Sequence, residues 1–480
     1  MDHAKKTSTA ATPRFLPALA IALVGAVALA LRLWEIGDKS IWLDEAWSWR
    51  AARLSLPDMV DWTAQDKHPP LYYGVLHLWT NLFGDSEAML RAPSAIASAA
   101  AVVLLASVGW RRGGPLLGLL AGTLLALNPT HVEFAQEARM YPLGGTLALA
   151  STLALAAVID RPSVPRASLY VLLATCLVYT HYSGFLVLGV HAALVAAHGV
   201  AHWRADPGRG RRMFVFGAGS LAAVAIAYAP WYGHLLDSTR DGVGHLPEPS
   251  WTLIDLVFSA LLGLQRASGF WLAIALPVVG LGLWGVYRRR ADPYIVCVAA
   301  IALVPCLQLV FSALRSPVFD VRQTAPYVPG FALLLALGLV ELGQYVADTL
   351  SRRSVALPIS FAGAAGVALV MLAGCSDWYN RGPREDWRAA AADVDAVPGA
   401  VYIWRGYIDE PLRYYTDHSF SRFAPSGGME QIEAPVASAL ILSHRTPAEA
   451  DAIIRTLSDI FRVGEGVDRV GITVYPLTPH

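Results

Sequence analysis

Two adjacent carboxylates, Asp44 and Glu45, stand among three tryptophans in the stretch IWLDEAWSWR, residues 41–50. The stretch follows the first hydrophobic run directly. Indole rings favour the membrane–water interface. Carboxylates beside a bilayer are costly unless water, a cation or a reaction employs them. This pattern suits a membrane-embedded site with Asp44 at its mouth. The plainer alternative is a loop of solvated acids with interfacial anchors, and both readings stay open on this stretch alone.

Further residues able to do chemistry recur along the chain. DKHPPLYY (66–73) joins Lys67 and His68 to a rigid Pro-Pro turn. The prolines either aim those two side chains into a cavity or merely start an interfacial helix. QEARMYP (136–142) holds Glu137, Arg139 and Tyr141. Arg139 either snorkels to lipid headgroups or offers a planar fork of donors to a phosphate. YTHYSG (179–184) supplies His181 and Tyr182, where a lone histidine at a helix end is commonly structural. SPVFDVRQTAPYVP (316–329) supplies Arg322, which either pairs with Asp320 or lines a cavity at the proline-broken entry to a span.

The elements that must carry these residues are membrane helices. Of the 480 residues, 55% are hydrophobic and 15% charged, against about 45–50% and about 25% in soluble domains. Mean hydropathy is +0.45. Lys+Arg and Asp+Glu both number 37, so no net charge draws nucleic acid. The four cysteines lie in or beside apolar runs without metal-ligand spacing and read as small buried hydrophobes. A span needs ~20 apolar residues. Such runs fall near 15–34, 92–110, 114–133, 141–159, 168–181, 184–203, 212–232, 270–287, 294–314, 325–346 and 355–375. The first is too long for a signal-peptide core and has no convincing cleavage site, so it reads as a retained span.

Charge then orients the chain. Arg111 with Arg112, Arg161 with Arg166, the run at 204–212, Arg288 to Arg290, and Arg352 with Arg353 share the side of the N-terminus. The positive-inside rule makes that side cytoplasmic. Eleven spans leave the C-terminus outside. The apolar segment 71–83 is short for a span and is placed in the outer interface, as is 251–267. With that topology Asp44, Glu45, Lys67, His68, Glu137, Arg139, Tyr141, His181, Tyr182, Arg240 and Arg322 all face outward. Residues 376–480 are more charged and alternate in type. They predict helices at 385–397, 409–416 and 446–459, strands at 400–404 and 437–444, and an edge strand at 470–477, which together make a small α/β domain outside the membrane.

IWLDEAWSW, KHPPLYY, NPTHVEFAQEARMYPL, YTHYSG, FDVRQTAPYVPGFALLLALG and PREDWRAAA, in this order, resemble a bacterial family 39 glycosyltransferase of the GT-C superfamily, a group similar to protein O-mannosyltransferases and the lipid A aminoarabinose transferase. The resemblance covers 15–375 and extends to a small domain found in many bacterial members. It implies a GT-C transmembrane domain over 1–375 with a catalytic first outer loop at 35–91, and an extracytoplasmic domain over 376–480. It implies a polyprenyl-phosphate sugar as donor and an envelope glycan or lipid as acceptor, on the outer face of the bacterial cytoplasmic membrane. Asp44 takes the place of the first-loop base or acceptor-positioning carboxylate, and outer-loop basic residues hold the lipid phosphate. The C-terminal domain is not of the β-trefoil type seen in mannosyltransferases, which disfavours a protein acceptor.

The chemistry is coherent on its own terms. An acceptor hydroxyl must lose a proton as it attacks, and a carboxylate within ~3 Å can take it. The leaving lipid phosphate is a stable anion and needs positive charge rather than a strong acid, for which Lys67, Arg139 and Arg322 are candidates. A single displacement inverts the anomeric configuration. Glu45 either orients the acceptor or joins Asp44 and Glu137 around a divalent cation, magnesium or manganese, through oxygen ligands. The competing class is a transporter or flippase of a lipid-linked saccharide. Transporters usually carry internal repeats with matching broken helices, and this sequence has none.

Overall fold

A computed structural model of the chain describes residues 15–65, 68–240, 246–264, 269–399, 401–404, 409–418, 420–423, 438–443 and 446–480. Its helices, in order, are α1 (Phe15–Leu33), α2 (Leu43–Arg53), α3 (Leu56–Ala64), α4 (Leu71–Phe83), α5 (Glu87–Leu127), α6 (Pro129–Ala135), α7 (Tyr141–Asp160), α8 (Val164–Val178), α9 (Gly184–Ala205), α10 (Pro207–Tyr228) and α11 (Tyr232–Arg240). They continue as α12 (Trp251–Leu261), α13 (Gly269–Arg288), α14 (Pro293–Ala300), α15 (Leu303–Leu314), α16 (Val321–Thr324), α17 (Val328–Thr349), α18 (Ala356–Asn380), α19 (Trp387–Asp395), α20 (Glu410–Tyr415) and α21 (Pro447–Ser458). The strands are β1 (Val401–Trp404), β2 (Phe420–Phe423), β3 (Ser438–Ser443), β4 (Phe461–Val463), β5 (Val467–Arg469) and β6 (Ile472–Pro479).

The chain forms two compact units. One takes the chain up to Arg32, with Ala95–Ala135 and Tyr141–Cys375; the other takes Leu33–Ser94, Gln136–Met140 and Ser376–His480. The stretch that carries Asp44 and the QEARM run therefore share a unit with the C-terminal segment.

Among the described residues, eight helical segments are long and apolar enough to cross a membrane, and three shorter apolar helices cover Val164–Val178, Trp251–Leu261 and Leu272–Arg288. Each of the eleven expected runs has a helical counterpart, but the boundaries change. The runs at 92–110 and 114–133 form one continuous assignment, Glu87–Leu127, broken at Gly114 (φ 87°). That left-handed backbone is open to glycine at little cost. The two halves fold back on each other: a Cβ on Gly118 would come 2.6 Å from the Trp110 nitrogen. Small residues permit this close approach of backbones, as is common inside bilayers. The second half stops at Leu127, not 133. Pro129 follows, and the Asn128 side chain accepts a hydrogen bond from His131 N at 3.0 Å, opening the separate helix α6. The segment at 251–267 yields a helix of 11 residues, Trp251–Leu261. The 13-residue α4 begins directly after Pro70, as the plainer reading of the Pro-Pro turn has it.

Buried charges in the first unit are closed by partners. Arg32 is fully buried and donates to Ser98 Oγ (2.6 Å) and to the carbonyls of Ala28 (2.8 Å) and Ala126 (3.1 Å). It thus satisfies a carbonyl that the end of α5 leaves without an intrahelical donor. Glu341, on α17, accepts from Arg288 (2.8 Å) and Arg289 (2.7 Å). Arg112 lies over the Tyr294 ring at 3.8 Å and 3.8 Å from Asp292. Basic loops expected on one face therefore meet acids from neighbouring loops and helix ends.

The strands of the second unit form one sheet in the order β2-β1-β3-β6-β4, with β5 also on β6. β1 runs parallel to β2 and β3, and β6 runs antiparallel to β3, β4 and β5. Side chains alternate between faces. Val401 and Ile403 of β1 and Ala439 and Ile441 of β3 pack with Trp387, Ala390 and Val394 of α19. Tyr402, Leu440 and Leu442 pack with Ile453 and Leu457 of α21 on the other face. The predicted helices and strands here recur within two residues. One expectation fails: the last strand is interior, not an edge, because β4 and β5 pair with its outer side.

Candidate active site

The α2 helix starts at Leu43 with Trp42 in extended conformation as its cap, and Asp44 and Glu45 fall in its first turn. Negative side chains are favoured there by the unsatisfied N–H groups of the helix start. Adjacent residues on a helix point in different directions, and the two acids have different surroundings.

Glu45 points into the unit and is 1% exposed. Arg91, in the first turns of α5, grips it with two bonds, Nε to Oε1 and Nη2 to Oε2, both 2.7 Å. This is the bidentate fork that only arginine provides. The same guanidinium donates to the carbonyls of Ile36 (2.8 Å), Lys39 (2.9 Å) and Ser40 (3.2 Å). Glu45 Oε1 also accepts from Ala138 N at 2.8 Å. One buried ion pair thus joins the 36–40 turn, α2, α5 and the 136–140 segment. Such a pair is tolerated in low dielectric only when its remaining hydrogen-bonding groups are also met.

Asp44 is more open, its side chain 28% exposed against 5% for Arg139. An Arg139 nitrogen stands 4.0 Å from Asp44 Oδ2. Arg139 also donates to the Asp44 carbonyl (3.1 Å) and to Ser48 Oγ (3.3 Å). Its own carbonyl accepts from Ser94 Oγ at 2.9 Å, and Tyr72 reaches the same Ser94 hydroxyl at 3.4 Å. Burial raises the Tyr72 hydroxyl pKa well above its ordinary value, so it stays protonated. Glu45 neighbours Asp44 and Ala138 neighbours Arg139, so the bond from Ala138 N to Glu45 fixes the spacing of the acid and the guanidinium from one step away.

The Glu45–Arg91 pair, not Asp44 or Arg139, lines a small cleft together with Glu35, Trp42, Glu137 and Arg384 among others. Glu137 is ion-paired with Arg384 at 2.5 Å, and Arg384 lies 4.7 Å over the Trp42 ring. Gln136 donates to the Trp34 carbonyl and accepts from Trp378 Nε1, both at 2.6 Å. His68, half-buried, belongs to this unit. Lys67 lies outside the described residues, and the side chain of Arg240 is not described.

The remaining candidates belong to the first unit. The Tyr141 ring stands 5.7 Å from the His181 ring. His181 Nδ1 meets the Ser183 hydroxyl at 2.7 Å, and Tyr327 donates to that hydroxyl at 2.6 Å. Tyr182 accepts from Trp231 Nε1 at 3.3 Å. Arg322 sits in the short helix α16, which Asp320 caps by accepting from Gln323 N at 2.7 Å.

Two residues missed from sequence complete the site: Arg91 and Glu385. The first hides in a run that otherwise reads as a membrane span. The second lies in PREDWR but has no local sign of its partner. The three carboxylates nominated for magnesium or manganese do not form a ligand set. Glu45 is taken by Arg91 and Glu137 by Arg384, and among the described residues no three His, Cys, Asp or Glu side chains gather as metal ligands.

No protein-family model matches the chain. No curated protein matches it. Solved structures do match. ArnT from Cupriavidus metallidurans in the apo state superposes with TM-score 0.62 at 15% identity, over 95% of this chain and 97% of that one. The same protein bound to undecaprenyl phosphate gives 0.60 at 14% identity, over 97% and 98%. The archaeal oligosaccharyltransferase AglB from Archaeoglobus fulgidus, in complex with an inhibitory peptide and a dolichol-phosphate, gives 0.56 at 12% identity, over 85% and 64%. The chain therefore shares the fold of these structures over most of its length: a multi-pass helical membrane protein with a small C-terminal α/β domain.

Proposed function

We propose that the chain transfers a sugar from a polyprenyl-phosphate donor to an acceptor hydroxyl or phosphate of an envelope glycan or lipid, by a single inverting displacement. The observation that carries this is the pairing of a part-exposed carboxylate, Asp44, with a buried guanidinium, Arg139, within a GT-C fold. The likeness to ArnT bound to undecaprenyl phosphate supports the choice of donor. Asp44 accepts the acceptor proton as the oxygen attacks the anomeric carbon. The leaving phosphate keeps the bonding electron pair, and Arg139, Arg322 and Lys67 stabilise its charge. His68, Glu137, Tyr141, His181 and Tyr182 line the substrate path in this reading. Glu45 positions Asp44 and takes no proton. No step runs through a metal.

The reaction is tested by feeding purified protein in detergent a panel of undecaprenyl-phosphate hexoses and pentoses with an envelope extract, and reading the release of undecaprenyl phosphate. Release that depends on Asp44 supports the assignment. An intact donor across the whole panel contradicts it.

The phosphate contacts predict a binding effect. Arg139→Lys and Arg322→Lys keep the charge but lose the fork, and each should weaken undecaprenyl phosphate binding by ~1.5–3 kcal/mol, the range for a hydrogen bond to a charged group. Wild-type affinity in both variants would remove the clamp.

We further propose that the active face is extracytoplasmic, with the N-terminus inside, eleven spans in the cytoplasmic membrane, a transmembrane domain over 1–375 and an outer domain over 376–480. The basic loops support this orientation. A cysteine replacing Arg112 should resist an impermeant thiol reagent in intact cells, and one replacing Glu465 should react. Labelling at 112 from outside overturns the span count.

A further inference from the structure

The PREDWR segment (383–388) has no task in the chemistry described so far, yet its side chains reach the 37–40 turn, the start of α2 and Glu137 of the QEARM run within the second unit. Glu385 is 5% exposed, and its Oε2 accepts from Leu43 N at 3.1 Å and from Trp387 Nε1 at 2.5 Å. Leu43 is the first residue of α2, and Trp42, its cap, has no side-chain acceptor to offer. A carboxylate 342 positions away thus supplies the cap that the helix carrying Asp44 cannot supply locally. A side-chain acceptor at a helix start holds its first turn, and a negative one also suits the dipole.

The neighbours of Glu385 act on the same site. Arg384 pairs with Glu137, two residues before Arg139, and lies over the Trp42 ring. Arg388 donates to the carbonyls of Asp38 (3.0 Å) and Gly37 (3.1 Å) and to Glu87 (2.7 Å), and its N–H reaches Ser40 Oγ at 3.2 Å. The segment is itself anchored. Trp387 is fully buried in the α19 core, and Asp386 caps α19 through Ala389 N at 3.1 Å. Its backbone N–H also reaches the Val470 carbonyl at 2.9 Å.

We infer that residues 384–388 are the positioning element of the active site: Glu385 caps α2 and Arg384 holds the Glu137 side of the QEARM run, so that the C-terminal domain sets the aim of Asp44 at the acceptor. This rests on the role given to Asp44 above. None of the segment's four charged side chains is assigned a substrate contact.

The test combines kinetics with a readout that needs no substrate. In the full-length protein, Glu385→Ala should lower kcat on the order of 100-fold, the cost of misplacing a reacting group by about 1 Å. The donor KM should stay within about threefold, since uniform donor binding is untouched. Glu385→Gln keeps an acceptor for Leu43 N and should recover most of the lost kcat. Amide exchange of the 41–50 peptide should accelerate in Glu385→Ala with the rest of the chain unchanged. Where the alanine variant fails to fold, Arg384→Met should give the same split of kcat from KM. Wild-type kcat in these variants, or a donor KM that rises while kcat holds, overturns the inference. A wild-type protein that consumes no donor defeats the proposed reaction instead, and the exchange experiment still decides whether Glu385 caps α2.

Discussion

Asp44→Asn should lower turnover at least ~100-fold, the scale of a lost general base, while leaving the fold intact. Asparagine matches aspartate in size, and the Asp44 bonds to Ser48 Oγ (3.1 Å) and Arg139 (3.1 Å) use the backbone carbonyl, which the variant keeps. What is lost is the basic oxygen beside Arg139. Unfolding by heat should therefore be unchanged, and undecaprenyl phosphate should bind as to wild type. Near-normal turnover in this variant would take Asp44 out of the mechanism.

Glu45 should behave differently, because its carboxylate is almost wholly buried and Arg91 is 4% exposed. Arg91→Met leaves a buried carboxylate without its counter-charge, and breaking such a pair costs ~3–5 kcal/mol of stability. Glu45→Gln leaves the guanidinium in the same position. The double variant, Glu45→Gln with Arg91→Met, should be more stable than Arg91→Met alone, since the buried charges then vanish together. Unfolding midpoints of the four proteins in one detergent measure the coupling. Additive losses would mean the pair does not hold the turn, the helix and the 136–140 segment as one piece.

The contrast between these two acids marks where the sequence is legible and where it is not. The acidic pair, its tryptophans and the following HPP announce a site. Adjacency alone does not say which acid is buried, because that depends on Arg91, 46 positions on, inside an apolar run. The helical hairpin of α5 is written locally in Gly113, Gly114 and Pro115, and the membrane helices in their apolar runs. The elements of the C-terminal domain follow from alternation and from the Thr446 and Glu449 capping box. Partner choice has no such local mark. Glu385 on Leu43, and Arg384 on Glu137, join segments hundreds of residues apart. The interior place of β6 depends on β4 and β5, two three-residue strands with hardly any pattern of their own.

One measurement separates glycosyl transfer from movement of a lipid-linked sugar across the bilayer. Purified protein is reconstituted in vesicles carrying an undecaprenyl-phosphate sugar of defined anomeric configuration, with envelope extract as acceptor, and the products are examined by proton NMR. Transfer should yield free undecaprenyl phosphate together with a new glycosidic bond of inverted configuration, both absent with Asp44→Asn. Recovery of the donor intact on the opposite leaflet, or a product of retained configuration, would contradict it.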